Sequence, residues 1–246
     1  MKPAAATDPP ALDTRRLPRH VAVIMDGNGR WARRRGRPRV EGHREGMESV
    51  RAVVRACGRL KIDALTLYAF STENWCRPRA EVQFLMRLLL EYLRRELPEL
   101  HRQGVRLSML GRRERVPGRV LRGIDAAVAE TRRNTGLRLN LAFNYGGRRE
   151  ILDAVERYLR RRPRPPLTEE SFAACLYTGD LPDPDLLIRT SGEMRISNFL
   201  LWQLAYAEIV VSPVLWPDFR EDEFMAALRD YQARERRFGG VEARRA

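Results

Sequence analysis

Short apolar runs alternate with amphipathic segments along most of the chain, and this order constrains the fold more than any other feature of the sequence. The runs are typical of buried strands and cover residues 21–25, 64–70, 105–110, 137–143, 186–188 and 209–211. Strands that alternate with helices favour a mainly parallel sheet with helices on both faces. The predicted fold class is therefore α/β, as a single domain with a mainly parallel central sheet.

Apolar residues at three- and four-residue spacing predict the helices between these strands. The helical segments cover residues 47–60, 81–97, 119–133, 148–161 and 221–238. Pro98 is expected to end the second of them, because proline lacks the backbone N–H that continues a helix. That second helix is apolar on more than one face, so it is either an ordinary core helix or part of the wall of a tunnel.

The length of 246 residues suits one domain, and the two ends are read as tails. Residues 1–16 are rich in Pro and Ala and are predicted to be flexible, as is the C-terminal tail over residues 241–246. Neither a signal-peptide core nor an apolar stretch of about 20 residues is visible. Three cysteines without a Cys-x-x-Cys pair suit a reducing compartment. We expect a cytoplasmic protein.

The formal charge of +14 suggests phosphorylated substrates, an anionic membrane surface or nucleic acid as partners. Lysine occurs only at Lys2 and Lys61, so nearly all of the positive charge is arginine and can equally reflect codon usage. No recognised nucleic-acid motif is visible, and a nucleic-acid partner is not expected. The functional argument must therefore rest on particular arginines.

Polar clusters follow three of the predicted strands, where ligands bind in parallel sheets. In the first cluster, small residues at a strand-to-helix turn can direct backbone N–H groups at a phosphate. Asp26 is placed to hold a divalent cation, and Arg30, Arg39 and His43 can add donors. A dinucleotide site is disfavoured because no acidic residue ends a second strand about 20 residues on. A turn with no ligand remains open.

The second cluster, residues 71–77, combines hydroxyl, carboxylate, amide, indole and guanidinium groups, as in an active-site flap or in a solvated loop. The third cluster places Arg189, Arg195 and Ser197 where they can converge on a second diphosphate. Glu208 precedes an apolar strand, where its carboxylate needs a cation or a donor. A structural salt bridge would serve Glu208 equally well.

Several blocks of the sequence resemble the signature motifs of the cis-prenyltransferases, in matching order and spacing. They are HVAVIMDGNGRWA at residues 20–32, FSTENW at 70–75, FNYGGR at 143–148, RTSGE at 189–193, LWPDF at 215–219 and RERRFGG at 234–240. The resemblance covers residues 17–240 and implies an undecaprenyl diphosphate synthase-like fold. No motif position departs from the family pattern.

The resemblance implies a magnesium-dependent enzyme that adds isopentenyl diphosphate units to an allylic diphosphate and makes a cis-polyprenyl diphosphate. Asp26 would be the catalytic carboxylate that binds Mg²⁺, and Asn74 the proton acceptor or the group that orients it. Glu208 would be a second metal ligand. Substrate-binding residues would be Gly27, Asn28, Gly29, Arg30, Trp31, Arg39, His43, Ser71, Thr72, Glu73, Trp75, Arg77, Arg189, Arg195, Ile196 and Ser197.

The resemblance also implies a homodimer in which the segment Arg237-Phe238-Gly239 completes the neighbouring site, and peripheral membrane contact when the product is released. The absence of the DDxxD motif of the trans-prenyltransferases agrees with the cis family. A carrier-lipid precursor is the expected product. A short-chain product and a catalytically silent partner subunit are the alternatives, although the intact Asp26 loop disfavours the silent subunit.

Overall fold

The central sheet contains six strands, all parallel, within the residues that the computed structural model describes, 12–234. The strands are β1 His20–Ile24, β2 Ala64–Ser71, β3 Arg106–Leu110, β4 Arg138–Tyr145, β5 Leu186–Arg189 and β6 Glu208–Val211. Their order across the sheet is β3-β4-β2-β1-β5-β6. The predicted α/β fold with a parallel sheet is confirmed, and each strand was predicted within two residues of its bounds.

Helices and packed segments cover both faces of the sheet. The helices are α1 Asn28–Arg34, α2 Arg39–Leu60, α3 Arg79–Arg102, α4 Gly118–Thr131, α5 Gly147–Arg160, α6 Glu169–Ala173 and α7 Glu221–Ala233. Val21 and Val23 of β1 pack into the core with α2, α3, α4 and α7. Ala22 and Ile24 point to the opposite face, onto the segment that contains Phe199. The alternation places β1 in the middle of the core.

Two predictions about the helices were wrong. Helix α3 continues past Pro98 to Arg102, because Pro98 is exposed while Leu97 and Leu100 on the same turns pack into the core. The lost backbone hydrogen bond therefore falls on the solvent side of the helix. The short helices α1 and α6 were not predicted as separate elements. The predicted end of the last helix, from residue 235 onward, lies outside the described residues.

The tails are described only in part. Residues 1–11 and 235–246 lie outside the described residues, and with them the motif Arg237-Phe238-Gly239 and the predicted C-terminal tail. Residues 12–16, which the sequence assigned to the N-terminal tail, contact the last helix: Leu12 packs against the core, and the backbone N–H of Asp13 donates to Gln232 Oε1 at 3.2 Å. None of the described helices is both long and apolar enough to cross a membrane.

A chain of buried hydrogen bonds crosses the sheet near the amino ends of its strands. His20 Nδ1 is 2.7 Å from the carbonyl oxygen of Pro182, and His20 Nε2 is 2.7 Å from Thr66 Oγ1. The amide of Asn140 donates to Thr66 Oγ1 at 3.1 Å, and Ser108 Oγ donates to Asn140 Oδ1 at 2.6 Å. Strands β1, β2, β4 and β3 are thus linked by side chains as well as by their backbones.

The order in which the chain connects the strands reverses between β1 and β5, at the carboxyl ends of these two strands. The chain continues from β1 to β2 on one side, whereas β5 pairs with β1 on the other side. In open parallel sheets, ligands bind in the crevice at such a point. Asp26 follows β1 and Thr190 follows β5, so the first and third polar clusters of the sequence meet there.

Candidate active site

The backbone of Asp26 is held by hydrogen bonds from two other segments. Thr190 Oγ1 accepts from the backbone N–H of Asp26 at 2.9 Å and donates to the Asp26 carbonyl oxygen at 2.7 Å. The backbone N–H of Trp216 donates to the same carbonyl at 3.0 Å. Thr190 is fully buried. These contacts fix the direction in which the Asp26 side chain leaves the sheet.

The Asp26 carboxylate lies between two arginines. Its Oδ2 accepts from Arg189 Nη2 at 2.9 Å and is 3.3 Å from Arg30 Nη2, while Oδ1 accepts from the backbone N–H of Gly27 at 2.6 Å. Partial burial raises the pKa of Asp26, but the hydrogen bond and charge of Arg189, with smaller effects of Gly27 and Arg30, bring it below its usual value. Asp26 is therefore ionised at neutral pH.

Arg189 connects Asp26 with the third polar cluster. Its side chain is only 4% exposed, and its Nη1 donates to Ser197 Oγ at 2.8 Å and to the carbonyl oxygen of Arg195. Arg30 reaches the same region, because its Nη1 is 3.0 Å from Glu193 Oε1. Arg189 Nε has no hydrogen-bond partner among the described residues, so this guanidinium keeps a donor for a phosphate group.

The turn after Asp26 requires glycine. Gly27 has a left-handed φ of 106°, and a β-carbon there would lie 2.9 Å from Leu215 Cδ2. Helix α2 also packs closely on the start of α1, since a β-carbon on Gly42 would lie 2.0 Å from the Asn28 carbonyl oxygen. The close packing brings Arg39 and His43 of α2 beside the first turn of α1, whose N–H groups have no partner within the helix.

Three side chains of the site contact a second carboxylate, that of Glu81 on α3. Arg77 Nη1 is 3.1 Å from Glu81 Oε1, and Arg39 Nε is 3.4 Å from Oε2. His43 Nε2 is 3.6 Å from Oε1 and has no hydrogen-bond partner among the described residues. Burial and then the charge of Arg77 lower the pKa of His43 to about 4, although Glu81 opposes the shift. His43 is therefore neutral at pH 7.

The second polar cluster forms a short 3₁₀ helix, Thr72–Cys76, attached at both sides. Trp75 Nε1 donates to Asn144 Oδ1 at 2.7 Å, and the Asn198 amide donates to Glu73 Oε1 at 2.9 Å. Within the cluster, Asn74 Oδ1 accepts from the backbone N–H of Ser71 at 3.2 Å. Thr72 Oγ1 lies against Gly146. The predicted flap is thus positioned by Asn144 near the end of β4 and by Asn198, which follows β5.

These clusters surround the mouth of a cavity of about 630 Å³. Twelve of the nineteen predicted site residues line it, together with Asn198 near the mouth. The twelve are Asp26, Gly27, Asn28, Gly29, Arg39, His43, Ser71, Glu73, Asn74, Arg77, Arg189 and Ser197. The structure therefore brings most of the predicted site together at the carboxyl ends of β1, β2 and β5.

The inner wall of the same cavity is largely apolar. Helix α3 contributes Leu85, Leu88, Leu89 and Tyr92, and the remaining apolar lining comes from α2, the strands and Trp216. The apolar residues outside α3 are Ile24, Met25, Met47, Val50, Leu67, Ala69, Phe70, Leu141, Phe143 and Trp216. The combination of a charged mouth and an apolar interior suits a ligand with a polar head and a hydrocarbon tail.

Several predicted residues lie away from the cavity wall. Trp31 is buried on the other side of α1, where its Nε1 donates to Asp218 Oδ1 at 2.6 Å. Trp75 anchors the flap through Asn144, and Ile196 packs in the core on the far face of the sheet. Arg195 is 59% exposed at its side chain and pairs with Glu193.

Glu208 lies at the opposite end of the sheet from Asp26. It begins β6, in register with Leu186, which itself pairs with Val21 at the start of β1. Because a strand rises about 3.3 Å per residue, Glu208 and Asp26 are roughly 15 Å apart along the strand direction. Glu208 instead pairs with Arg234 at 3.0 Å. A single ion within one chain therefore does not contact both carboxylates, and the metal role of Glu208 stays a prediction.

Among the described residues, no group of three or more His, Cys, Asp or Glu side chains could hold a metal ion. The ionised Asp26 carboxylate lines the cavity between two arginines. Mg²⁺ commonly binds through one or two carboxylates together with substrate phosphates, rather than in a cage made only of protein ligands. The donor set of this site therefore fits a Mg²⁺ ion that is shared with a diphosphate.

Some residues that shape this site were not predicted from the sequence. Glu81 was treated only as the start of a helix, although its spacing of four residues from Arg77 is typical of an ion pair. Thr190 and Asn144 lay inside recognised motifs without an assigned role. Asn198 carried no signal in the sequence, since its contact with Glu73 spans 125 positions.

Comparison with known proteins agrees with this geometry. Residues 24–239 match the family model described as putative undecaprenyl diphosphate synthase, and the chain belongs to this family. An isoprenyl transferase of Heliobacterium mobile is 55% identical over 235 residues, 94% of this chain and 90% of that protein. An isoprenyl transferase of Shouchella clausii is 50% identical over 95% of this chain and 93% of that protein.

Two solved structures share the fold. Lavandulyl diphosphate synthase from Lavandula x intermedia, in complex with dimethylallyl diphosphate, has a TM-score of 0.87 at 36% identity and covers 92% of this chain and 99% of that one. A probable undecaprenyl diphosphate synthase from Campylobacter jejuni has a TM-score of 0.77 at 35% identity, with 90% and 98% covered. The protein is therefore an enzyme, a transferase of the isoprenyl transferase class, and its predicted family and cis-prenyltransferase activity are confirmed.

Proposed function

We propose that the enzyme joins isopentenyl diphosphate to an allylic diphosphate in the presence of Mg²⁺ and repeats the step to give a cis-polyprenyl diphosphate, a carrier-lipid precursor. The observation that carries this proposal is a cavity that combines Asp26 and arginines at its mouth with leucines of α3 along its interior. The charged mouth suits diphosphates, and the interior suits a growing hydrocarbon chain.

The allylic diphosphate is proposed to bind at the first turn of α1. Arg39, Arg77 and His43 line this side of the cavity, and Arg30 reaches Asp26 from α1. When the allylic C–O bond breaks, the electron pair stays on the diphosphate, and guanidinium groups stabilise the negative charge that develops there. Mg²⁺ bound to the diphosphate would add positive charge at the same oxygens. Asp26 is the proposed ligand of this ion.

Isopentenyl diphosphate is proposed to bind near Arg189 and Ser197, beside the flap. Its terminal alkene carbon bonds to the allylic carbon as the allylic diphosphate leaves. A proton is then lost from the methylene carbon between the resulting cationic carbon and the carbon that bears the diphosphate. Asn74 lines the cavity and is the proposed acceptor of this proton or the group that orients the acceptor. Because an amide is only a weak base, orientation is the role that its hydrogen bond with Ser71 supports better.

Product length is the open choice within this proposal. A short-chain product is the alternative to a carrier-lipid precursor. The apolar residues of α3 extend the cavity away from the charged mouth, and this favours the longer chain. The relatives from Heliobacterium and Shouchella are bacterial isoprenyl transferases, which agrees with the same choice.

The protein is also proposed to act as a cytoplasmic homodimer that contacts the membrane when the product leaves. Helix α5 exposes Leu152, Val155 and Leu159 on one face, with 55%, 40% and 48% of each residue accessible. Such a face is costly to leave in water, so a second copy is expected to cover it. The proposed membrane contact is supported by three exposed arginines at the end of α1 and just after it, Arg33, Arg34 and Arg37.

The proposal is tested by incubating the purified protein with radiolabelled isopentenyl diphosphate, farnesyl diphosphate and Mg²⁺, then separating the products by length. We expect a Mg²⁺-dependent ladder that Asp26→Ala abolishes. Asp63→Ala is the matched control, because Asp63 is an exposed carboxylate paired with Arg19 at the amino side of the sheet. No incorporation by the wild-type protein with farnesyl or geranyl primers would favour a catalytically silent subunit.

A further inference from the structure

Glu81 is a buried carboxylate to which the proposed reaction assigns no role. Its side chain is only 10% exposed, and it lies at the first turn of α3. It does not line the cavity, whereas Arg39, His43 and Arg77, the three side chains around it, all do. Glu81 therefore lies directly behind the part of the wall that faces the α1 turn.

The contacts of Glu81 fix where these guanidinium groups point. Arg77 is bound to Oε1, and Arg39 reaches both carboxylate oxygens, through Nη2 at 3.4 Å from Oε1 and Nε at 3.4 Å from Oε2. The Arg39 guanidinium also lies against Gly29, where a β-carbon would be 2.8 Å from Nη1. Arg39 is thus held between Glu81 and the first turn of α1.

The charges of this cluster leave it able to take an anion. Two guanidinium groups share one carboxylate, and His43 is neutral at pH 7 because its pKa is lowered to about 4. The cluster therefore carries one excess positive charge. A guanidinium has five N–H donors, so Arg39 and Arg77 keep donors for phosphate oxygens while one side of each rests on Glu81.

We propose that Glu81 is a positioning residue that holds Arg39 and Arg77 in the geometry that receives the allylic diphosphate. Without it, the two guanidinium groups would repel each other and lose their common support. The inference rests on the proposed function in one respect, namely that the ligand of this wall is the allylic diphosphate. Isopentenyl diphosphate, placed beside Arg189, should be affected little.

The test compares Glu81→Gln with Glu96→Gln. Glu96 lies on the same helix, is equally buried at 9% exposure of its side chain, and is held by two arginines, Arg51 and Arg95. It does not line the cavity. Both variants lose one buried carboxylate between two arginines, so both should lose stability, measured by urea unfolding. Only Glu81→Gln should change the binding of the allylic substrate.

We expect Glu81→Gln to raise the KM for farnesyl diphosphate by about 10- to 100-fold, because a misplacement of binding groups by about 1 Å can cause a loss of this size. The KM for isopentenyl diphosphate should rise by about twofold at most. Glu96→Gln should leave both constants unchanged. Equal changes in the two Glu variants, or an unchanged KM for farnesyl diphosphate in Glu81→Gln, would overturn the proposal. If Glu81→Gln does not fold, Glu81→Asp retains the charge with a shorter reach and is subject to the same criteria.

Binding of inorganic diphosphate, measured by calorimetry, separates this proposal from the reaction itself. If the wild-type protein binds diphosphate but transfers no prenyl group, the proposed function fails, while weaker binding by Glu81→Gln than by Glu96→Gln would still support the positioning role. If the wild-type protein is active and both variants bind diphosphate with wild-type affinity, the positioning role is rejected and the proposed function stands.

Discussion

His20 is fully buried and the side chain of His43 is 14% exposed; the pKa of each is lowered to about 4, yet their surroundings differ. At the amino ends of the strands, both ring nitrogens of His20 have hydrogen-bond partners, Pro182 and Thr66. At the cavity, His43 Nε2 has no such partner among the described residues and lies near two arginines. Burial is the main cause of both shifts.

The comparison shows how similar residue types take different roles at the two ends of one sheet. A closed hydrogen-bond network has no donor left for a ligand, so its contribution is to stability. Around the cavity, the carboxylates of Asp26 and Glu81 are each shared by two arginines, whose remaining donors are available to phosphate. Changes at the cavity should therefore act on catalysis, and changes at the amino ends on folding.

The largest expected effect is on catalysis and comes from Arg189→Lys. Lysine keeps the charge but cannot contact Asp26, Ser197 and the Arg195 carbonyl at once, so prenyl transfer should fall by about 10²- to 10³-fold. Steady-state assays with both substrates measure the loss. Arg138→Lys is the matched control, because Arg138 lies at the amino side of the sheet and pairs with Asp180. A similar loss in the control would contradict the division between the two ends.

The next effect is on stability and comes from Thr66→Val. Valine has a similar shape but leaves His20 Nε2 and the Asn140 amide without their shared partner, which should cost about 3 kcal/mol of unfolding free energy. Urea unfolding measures this cost. Kinetic constants per folded molecule should match the wild-type values, and a raised KM for either substrate would show that the amino-end network also shapes the site.

His20 should also make stability depend on pH. Its pKa is about 4 in the folded protein and 6.5 ordinarily, so the unfolded chain takes up a proton first as the pH falls. The stability is fully present above about pH 6.5, and from pH 7 to pH 5 His20 should account for a loss of about 2 kcal/mol. Urea unfolding at both pH values should show a smaller loss for His20→Asn than for the wild-type protein. Equal losses would exclude His20 as the source.

The smallest expected change in rate accompanies a change in product. Leu85→Trp narrows the apolar part of the cavity and should shorten the product while the rate of the first condensation stays within about twofold of wild type. Arg87→Trp is the matched control, because Arg87 is exposed on the same helix. Chain-length analysis checks the result. An unchanged ladder for Leu85→Trp, and for Leu88→Trp and Leu89→Trp as well, would reject the role of α3 as the tunnel wall.

Much of the fold was predictable because strand and helix patterns are local. Residues 186–188 are apolar at every position and residues 64–70 are largely apolar, as expected for strands buried on both faces. The continuation of α3 past Pro98 was not predictable, since it depends on Leu97 and Leu100 finding the core. The order of the strands also required the tertiary structure.

The candidate site was predictable to the extent that it lies in loops after strands. Asp26, Asn74 and Arg189 were identified from their clusters and from the family resemblance, and all three line the cavity. Trp31 and Trp75 belong to the same motifs, but Trp31 packs behind the site and Trp75 attaches the flap. A motif alone does not distinguish such structural roles from substrate binding. Glu208 was predicted to be a metal ligand, although it lies at the opposite end of the strands from Asp26 in the same protomer.

The amino-acid sequence by itself determined the parallel α/β fold, the family and most of the polar groups that line the cavity, because periodicity and motif order are carried by neighbouring residues. The tertiary structure alone decided which charges share a partner. Glu81 on α3 contacts Arg39 and His43 from α2, and Asp26 contacts Arg189 across 163 positions of the sequence. Electrostatic contacts depend on distance in space, and only the packed chain sets those distances.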